Sequence, residues 1–198
     1  MRTFAAFAAF AFVAPAFAQV NSWNIDSSHS GAHFAVRHMM VSNVRGQFGK
    51  LSGTIEFDPK NLNGSKVNAT IDVASINTQD QKRDEHLRSA DFFDVAKFPT
   101  MTFVSKAIKP AGAGKLQMVG DLTMKGVTKE VVFDVEGPSP ELVARGTARS
   151  GASATAKINR KDFGITWNRA LDAGGVAVGD EVSITIDIEM VRKLPASN

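Results

Sequence analysis

The sequence has four histidines and no cysteine, so imidazole, hydroxyl and carboxylate groups carry whatever chemistry it can do. His29, His33 and His38 lie close together and invite a metal reading. On an extended strand same-face neighbours are two residues apart, so His33 and His38 point to opposite faces. His29 and His33 would stand about 13 Å apart along such a strand. A turn at Ser30-Gly31 would bring them closer, and His86 could join from elsewhere. The competing reading has His29 and Ser30 bonding backbone in an early turn. Ser30 with His29 or His86 and an aspartate suggests a hydrolase, but no Gly-x-Ser-x-Gly elbow supports it. Arg83, Asp84 and His86 either fix a helix to its surroundings or offer Arg83 or His86 to a polar ligand group. Lys157-Ile-Asn-Arg160-Lys161 reads as a solvated strand end, or as a phosphate attractor if it borders a cavity. No catalytic residue, metal or cofactor is assigned.

The elements that must position these groups are nearly all strands. Period-two alternation runs through Val182, Ile184, Ile186, Ile188 and Met190, set against Ser183, Thr185, Asp187 and Glu189. It recurs in Val67, Ala69, Ile71 and Val73, in Val131, Phe133 and Val135, and in Leu116, Met118, Leu122 and Met124. Further strands are expected at 32–41, 46–58, 100–109 and 143–160, with a short one at Trp23–Ile25. Turn residues punctuate them at Asp58-Pro59, Asn63-Gly64, Pro110–Gly114, Lys125-Gly126, Gly137–Pro140 and Gly174-Gly175. Eight or nine strands with one apolar face each suit an antiparallel sheet closed, or nearly closed, on itself.

One segment breaks the pattern. Thr78–Phe93 reads as a helix, with Thr78 and Gln81 as a capping box, Asp80 in the first turn and Asp84–Arg88 as an outward i,i+4 pair. Leu87 faces inward. Phe92 and Phe93 follow, and Pro99 biases Phe98 to an extended conformation. A short helix ending in aromatics suits a plug or lid at a barrel mouth.

The N-terminus reads as an export signal: Arg2, the apolar run Phe4–Val13, then Ala16-Phe17-Ala18. Cleavage after Ala18 would leave a chain that begins at Gln19, with one domain over 19–193 and a frayed tail at 194–198. Without cysteine the domain depends on packing and not on disulfides. The 23 basic and 20 acidic residues are mixed along the chain and form no long basic block, so nothing points to nucleic acid or to strong attraction to an anionic membrane.

The order of motifs resembles the YceI-like family of lipocalin-like, periplasmic polyisoprenoid-binding proteins. It begins with Trp23-Asn-Ile-Asp26-Ser-Ser-His29-Ser30 and Phe34-x-Val36-x-His38, then Gly46-x-Phe48 and Gly53-x-Ile55. The most specific run is Arg83-Asp84-x-His86-Leu87, with Asp91-Phe92-Phe93-Asp94 and Phe98-Pro99. Gly120-Asp-Leu122-Thr123, Gly126-x-Thr128-Lys129 and Arg160-x-Asp162-Phe163-Gly164 complete it. The resemblance spans Trp23 to about Glu189. It implies an all-β, extended eight-stranded antiparallel lipocalin-like barrel with one short helix near its mouth.

The resemblance also implies function: a periplasmic binding or carrier protein, not an enzyme, for an amphiphilic isoprenoid lipid. The head group would be a phosphate or quinone, the tail would lie in an apolar lumen, and the protein would often be a homodimer. Alternation turns Val36, Ile55, Ile71, Phe103, Met118, Phe133, Ile184 and Ile186 inward. Phe34, Phe48, Leu87, Phe92, Phe93 and Phe163 complete the candidate ligand-binding set of lumen and mouth. Two alternatives stay open. One is an enzyme acting on a lipid or quinone. The other is an outer-membrane barrel with its apolar face outward, against which stand the absence of Tyr, the two Trp and the polar tail.

Overall fold

The computed structural model describes residues 21–172 and 174–194. The export signal over 1–18 and the tail over 195–198 lie outside the described residues. Leu194, expected in a frayed tail, instead donates its N–H to the Gly146 carbonyl at 2.9 Å.

Twelve strand segments form one sheet. They are β1 (Asn21–Ile25), β2 (Gly31–His38), β3 (Ser42–Phe48), β4 (Leu51–Phe57), β5 (Lys66–Asp72) and β6 (Ile76–Asn77), then β7 (Thr100–Pro110), β8 (Lys115–Met124), β9 (Val127–Glu136), β10 (Leu142–Ala144), β11 (Thr147–Asn159) and β12 (Val178–Lys193). Among the described residues the single α-helix, α1, is Gln81–Arg88. The segments resolve into eight long strands because three pairs are halves of one path and the three-residue β10 only adds to the end of β11. β1 and β2 both lie against β12, β4 and β3 lie against them, and β5 and β6 follow. Then come β7, β8, β9 and β11. β11 pairs along β12 from Thr147↔Lys193 to Asn159↔Glu181, and this closes an eight-stranded antiparallel barrel.

The three broken strands share a cause. Ile25 faces inward, and so do Ala32 and Phe34, but the two sets differ in parity. The same shift separates Phe48 from Leu51 and Val73 from Ile76, all of them buried. Since side chains alternate with period two, an apolar face can change parity only where the strand breaks its pairing. A turn on Asp26 does this in the first strand, Gly49-Lys50 in the second and a 3₁₀ turn at Val73–Ser75 in the third. The breaks are neighbours: the Asp72 N–H donates to the Lys50 carbonyl at 3.0 Å, and the Lys50 N–H to Ser75 Oγ at 3.3 Å. The expected strand over 46–58 is therefore interrupted at Gly49-Lys50. The expected strand over 32–41 stops at His38, where Met39 and Met40 turn the chain. The one over 143–160 is divided by Arg145-Gly146 into β10 and β11.

The helix is shorter than expected, and its cap differs. Asp80 is the N-cap, accepting from the Arg83 N–H at 3.0 Å. Thr78 lies before the helix and is buried. Its N–H and its hydroxyl both donate to Asp84 Oδ1, at 2.9 and 2.6 Å. Asp84 is thus 7% exposed and not outward, and it forms no pair with Arg88. Arg88 instead donates to the carbonyls of Ala74 and Ile76 at 3.1 and 2.8 Å, tying the helix to the β5–β6 break. After Ser89 the chain folds back, the Phe93 N–H bonding the Leu87 carbonyl at 3.0 Å, so Phe92 and Phe93 come from a turn beyond α1.

Candidate functional site

The barrel encloses a cavity of about 620 Å³ whose wall is almost wholly apolar. Period two explains the wall. Val182, Ile184, Ile186, Ile188 and Met190 of β12 all border it, while Ser183, Thr185, Asp187 and Glu189 face away. This orientation is the reverse of an outer-membrane barrel, whose apolar side faces lipid outside.

Thirteen of the fourteen expected residues border the cavity. β2 gives Phe34 and Val36, β3 gives Phe48, β4 gives Ile55 and β5 gives Ile71. Phe103, Met118 and Phe133 come from β7, β8 and β9, and Ile184 and Ile186 from β12. Leu87 reaches in from α1, with Phe92 and Phe93 beside it. Phe163 is the exception. It ends a 3₁₀ turn at Arg160–Phe163 and is 1% exposed in the packed cluster, off the cavity wall. The left-handed Gly164 that follows (φ 72°) closes that turn and sends the ring into packing.

The aromatics are arranged and not merely present. Phe103 and Phe133 meet edge to face at 5.2 Å across the wall. Phe34, Phe48 and Phe93 form a chain with 5.7 Å between successive rings. Two glycines make room for this. A methyl group at Gly46 would lie 2.4 Å from Phe34 Cζ, and one at Gly120 would lie 2.4 Å from Phe103 Cζ. Each ring lies over a strand that has no side chain at that point.

Several polar groups border the cavity at its α1 end, and His33, Ser153 and Arg160 border it elsewhere on the chain. Asp80, Lys82, Arg83 and His86 border it from the helix, and Arg37 and His38 from the β2–β3 hairpin. Arg83 is committed to Thr78, donating from Nε to the hydroxyl at 2.8 Å and from Nη2 to the carbonyl at 2.9 Å. The His86 ring stands edge-on to Phe92 and Trp167 at 5.0 and 4.9 Å, with Nε2 2.9 Å from Asp91 Oδ2. Trp167 was not among the expected residues. Its signal is the alternation of Ile165 with Trp167, which border the same cavity.

Arg160 also differs from expectation. It is buried and not a solvated strand end, and its guanidinium donates to the carbonyls of Ile165, Trp167, Val178 and Gly179 at 2.7–3.3 Å. Burial lowers its pKa, and the facing Asp180 partly offsets this. Lys161 pairs with Asp180 at 2.8 Å and Lys157 with Glu181 at 2.9 Å, so both lysines are spent within the fold, while Arg160 also borders the cavity.

The histidine-rich turn at the start of the chain does structural work. Ser30 Oγ accepts from the Glu189 N–H at 3.0 Å and donates to its carbonyl at 3.3 Å. Ser28, His29 and Asp26 assemble three residue types of a hydrolase relay, but both partners of His29 lie on Nδ1, at 3.3 and 3.1 Å. A relay needs one partner on each ring nitrogen. Asp26, His29 and Glu189 also come together as a metal cage would. Arg149 fills it: Nη1 bonds Asp26 Oδ2 at 3.2 Å and also Glu189. Hydrogen bonds from Ser28, His29 and Arg149 hold the Asp26 carboxyl far below the usual carboxylate range.

A model of the YceI-like domain matches residues 23–190. The UPF0312 protein of Staphylococcus aureus (strain MSSA476) is 38% identical over 172 residues, covering 86% of this chain and 97% of that protein. Among solved structures, Burkholderia cenocepacia BcnA superposes with a TM-score of 0.70 at 29% identity, covering 85% of this chain and 99% of that one. The Campylobacter jejuni YCEI protein gives 0.67 at 35% identity, covering 79% and 90%. A polyisoprenoid binding domain from Saccharophagus degradans shares the fold, with a TM-score of 0.63 at 17% identity, covering 87% and 98%.

Proposed function

This chain belongs to the YceI-like family, and from that premise we propose that it is a periplasmic carrier of an amphiphilic isoprenoid lipid. The observation that carries the reading is the apolar cavity of about 620 Å³ running through the closed barrel. That volume lies in the range of sites that hold small molecules, roughly 300–1,000 Å³. Each buried methylene is worth about 0.8 kcal/mol, so a ten-carbon stretch supplies roughly 8 kcal/mol before the costs of association. Binding of this kind needs shape and dryness more than catalytic groups. The tail lies between Phe103, Phe133 and the β12 face. The head group, a phosphate or quinone, sits at the α1 end, where Lys82 and His38 offer donors. Export through the signal at 1–18 brings the mature chain, beginning at Gln19, to the compartment of its cargo. A fold neighbour described as a polyisoprenoid binding domain supports the ligand class.

The test is a change in cavity length without added polarity. Phe133→Trp adds volume to the wall beside Phe103. In a carrier it shortens the longest isoprenoid tail that binds, measured over a series of tail lengths, and leaves the thermal midpoint near wild type. A filled core answers differently: overpacking strain of roughly 1–3 kcal/mol with no change in tail preference. That second result would sink the carrier reading.

A further inference from the structure

The tip of the β2–β3 hairpin is built from the wrong residues for a turn. The Val41 N–H donates to the His38 carbonyl at 3.1 Å, so Met39 and Met40 are the central pair of a tight hairpin. Both have left-handed backbones, with φ of 48° and 63°. Asn-Gly adopts that turn without strain, whereas bulky L residues do so at a cost. The methionines gain no burial in return. Met39, Met40 and Val41 are 41%, 56% and 77% exposed, three consecutive apolar side chains in solvent.

The tip is held firmly. The Met39 N–H donates to the Ala177 carbonyl at 2.9 Å, and Arg37 Nη2 donates to the Met40 carbonyl at 3.1 Å. Its surroundings are basic. Between Asp26 and Glu56 the chain has no acidic residue, and Arg37 and Arg45 lie on the two strands of the hairpin. Lys82 lies on α1 across the cavity end, and Arg169 lies on the loop under the tip, whose Ala177 bonds the Arg169 carbonyl. The acidic groups on these neighbouring segments are Asp80, Glu85 and Asp172, with Asp84 buried on Thr78, while Asp180 and Glu181 at the start of β12 are paired with Lys161 and Lys157. His38 and Val44, which flank the tip, also border the cavity.

We propose that this tip docks on an anionic bilayer surface. Met39, Met40 and Val41 enter the headgroup boundary while the surrounding arginines and Lys82 meet lipid phosphates, a pairing of apolar insertion with charge. Docking sets the α1 end of the cavity against the membrane. It stands on the tip and its charges, independently of what fills the barrel.

The test compares vesicles of phosphatidylcholine mixed with phosphatidylglycerol against pure phosphatidylcholine by co-sedimentation. Wild type partitions onto the mixed vesicles at low salt and much less onto the neutral ones. The double variant Met40→Ser, Val41→Ser loses about tenfold in partitioning, because inserted apolar area and charge act together. Its unfolding midpoint stays at the wild-type value, since both residues are exposed. Leu142→Ser, Val143→Ser removes equally exposed apolar groups from β10 at the opposite end of the barrel and leaves partitioning unchanged. The proposal is overturned if wild type ignores mixed vesicles, or if the two double variants behave alike. It is also overturned if the tip variant binds vesicles normally while converting a dimer to a monomer in sedimentation velocity, which would assign the tip to a second copy.

Discussion

Asp26 shows how one side chain organises a region without touching the cavity. It accepts from Ser28 N–H and Oγ at 3.1 and 2.5 Å, sits 3.1 Å from His29 Nδ1, and pairs with Arg149. These bonds favour its charged form, so its folded pKa lies well below the unfolded value of about 3.9. Its contribution to stability is therefore fully present above about pH 3.9 and is lost as pH falls towards the folded value. Asp26→Asn should be less stable than wild type at pH 5 to 7, with the gap closing as the pH drops below about 3.9. Urea unfolding at several pH values reads this, and a gap that is constant down to pH 2 would contradict it. The sequence predicts a turn here but not its partners, because Arg149 and Glu189 lie more than a hundred residues away. Phe163 and Arg160 were hidden for a related reason. Their burial is set by a 3₁₀ turn and by backbone carbonyls, neither of which leaves a period in the sequence.

The strands were largely legible because alternation is a strong signal wherever one face is buried. It brings eight inward residues of seven strands, from Val36 to Ile186, onto the cavity wall. Legibility failed where the period changed. Phe48 and Leu51 differ in parity, so the strand between them has to break, and their odd spacing alone carries that requirement. The helix was legible as an element but not in its anchoring. Its charges suggest a solvated outer face, yet Asp84 turns inward to satisfy Thr78 from the strand end. That contact predicts a measurable cost. Asp84→Ala leaves the Thr78 N–H buried without a partner and frees the hydroxyl that Arg83 also uses, so stability should fall by about 1–3 kcal/mol. An unchanged denaturant midpoint would mean that α1 is not held to the barrel as described. Loosening α1 also removes Leu87 and His86 from the cavity end, so the same variant should release bound ligand faster.

At the scale of the molecule, every device serves enclosure. Eight long strands close on themselves, two glycines let aromatic rings lie against the wall, and α1 with Phe92, Phe93 and Trp167 covers one end. The alternating pattern does not distinguish a filled interior from an open one, since both need the same inward residues. The distinction depends on how far the walls stand apart, which is a property of strand number and tilt and not of any residue. The measurement that tests the account most directly is a native mass spectrum of the protein purified from its native cells, with identification of whatever dissociates from it. The account predicts a chain beginning at Gln19 that carries one non-covalent ligand, extractable into organic solvent and bearing an isoprenoid tail. A chain recovered without ligand, which also takes up no isoprenoid amphiphile when one is supplied, would contradict it.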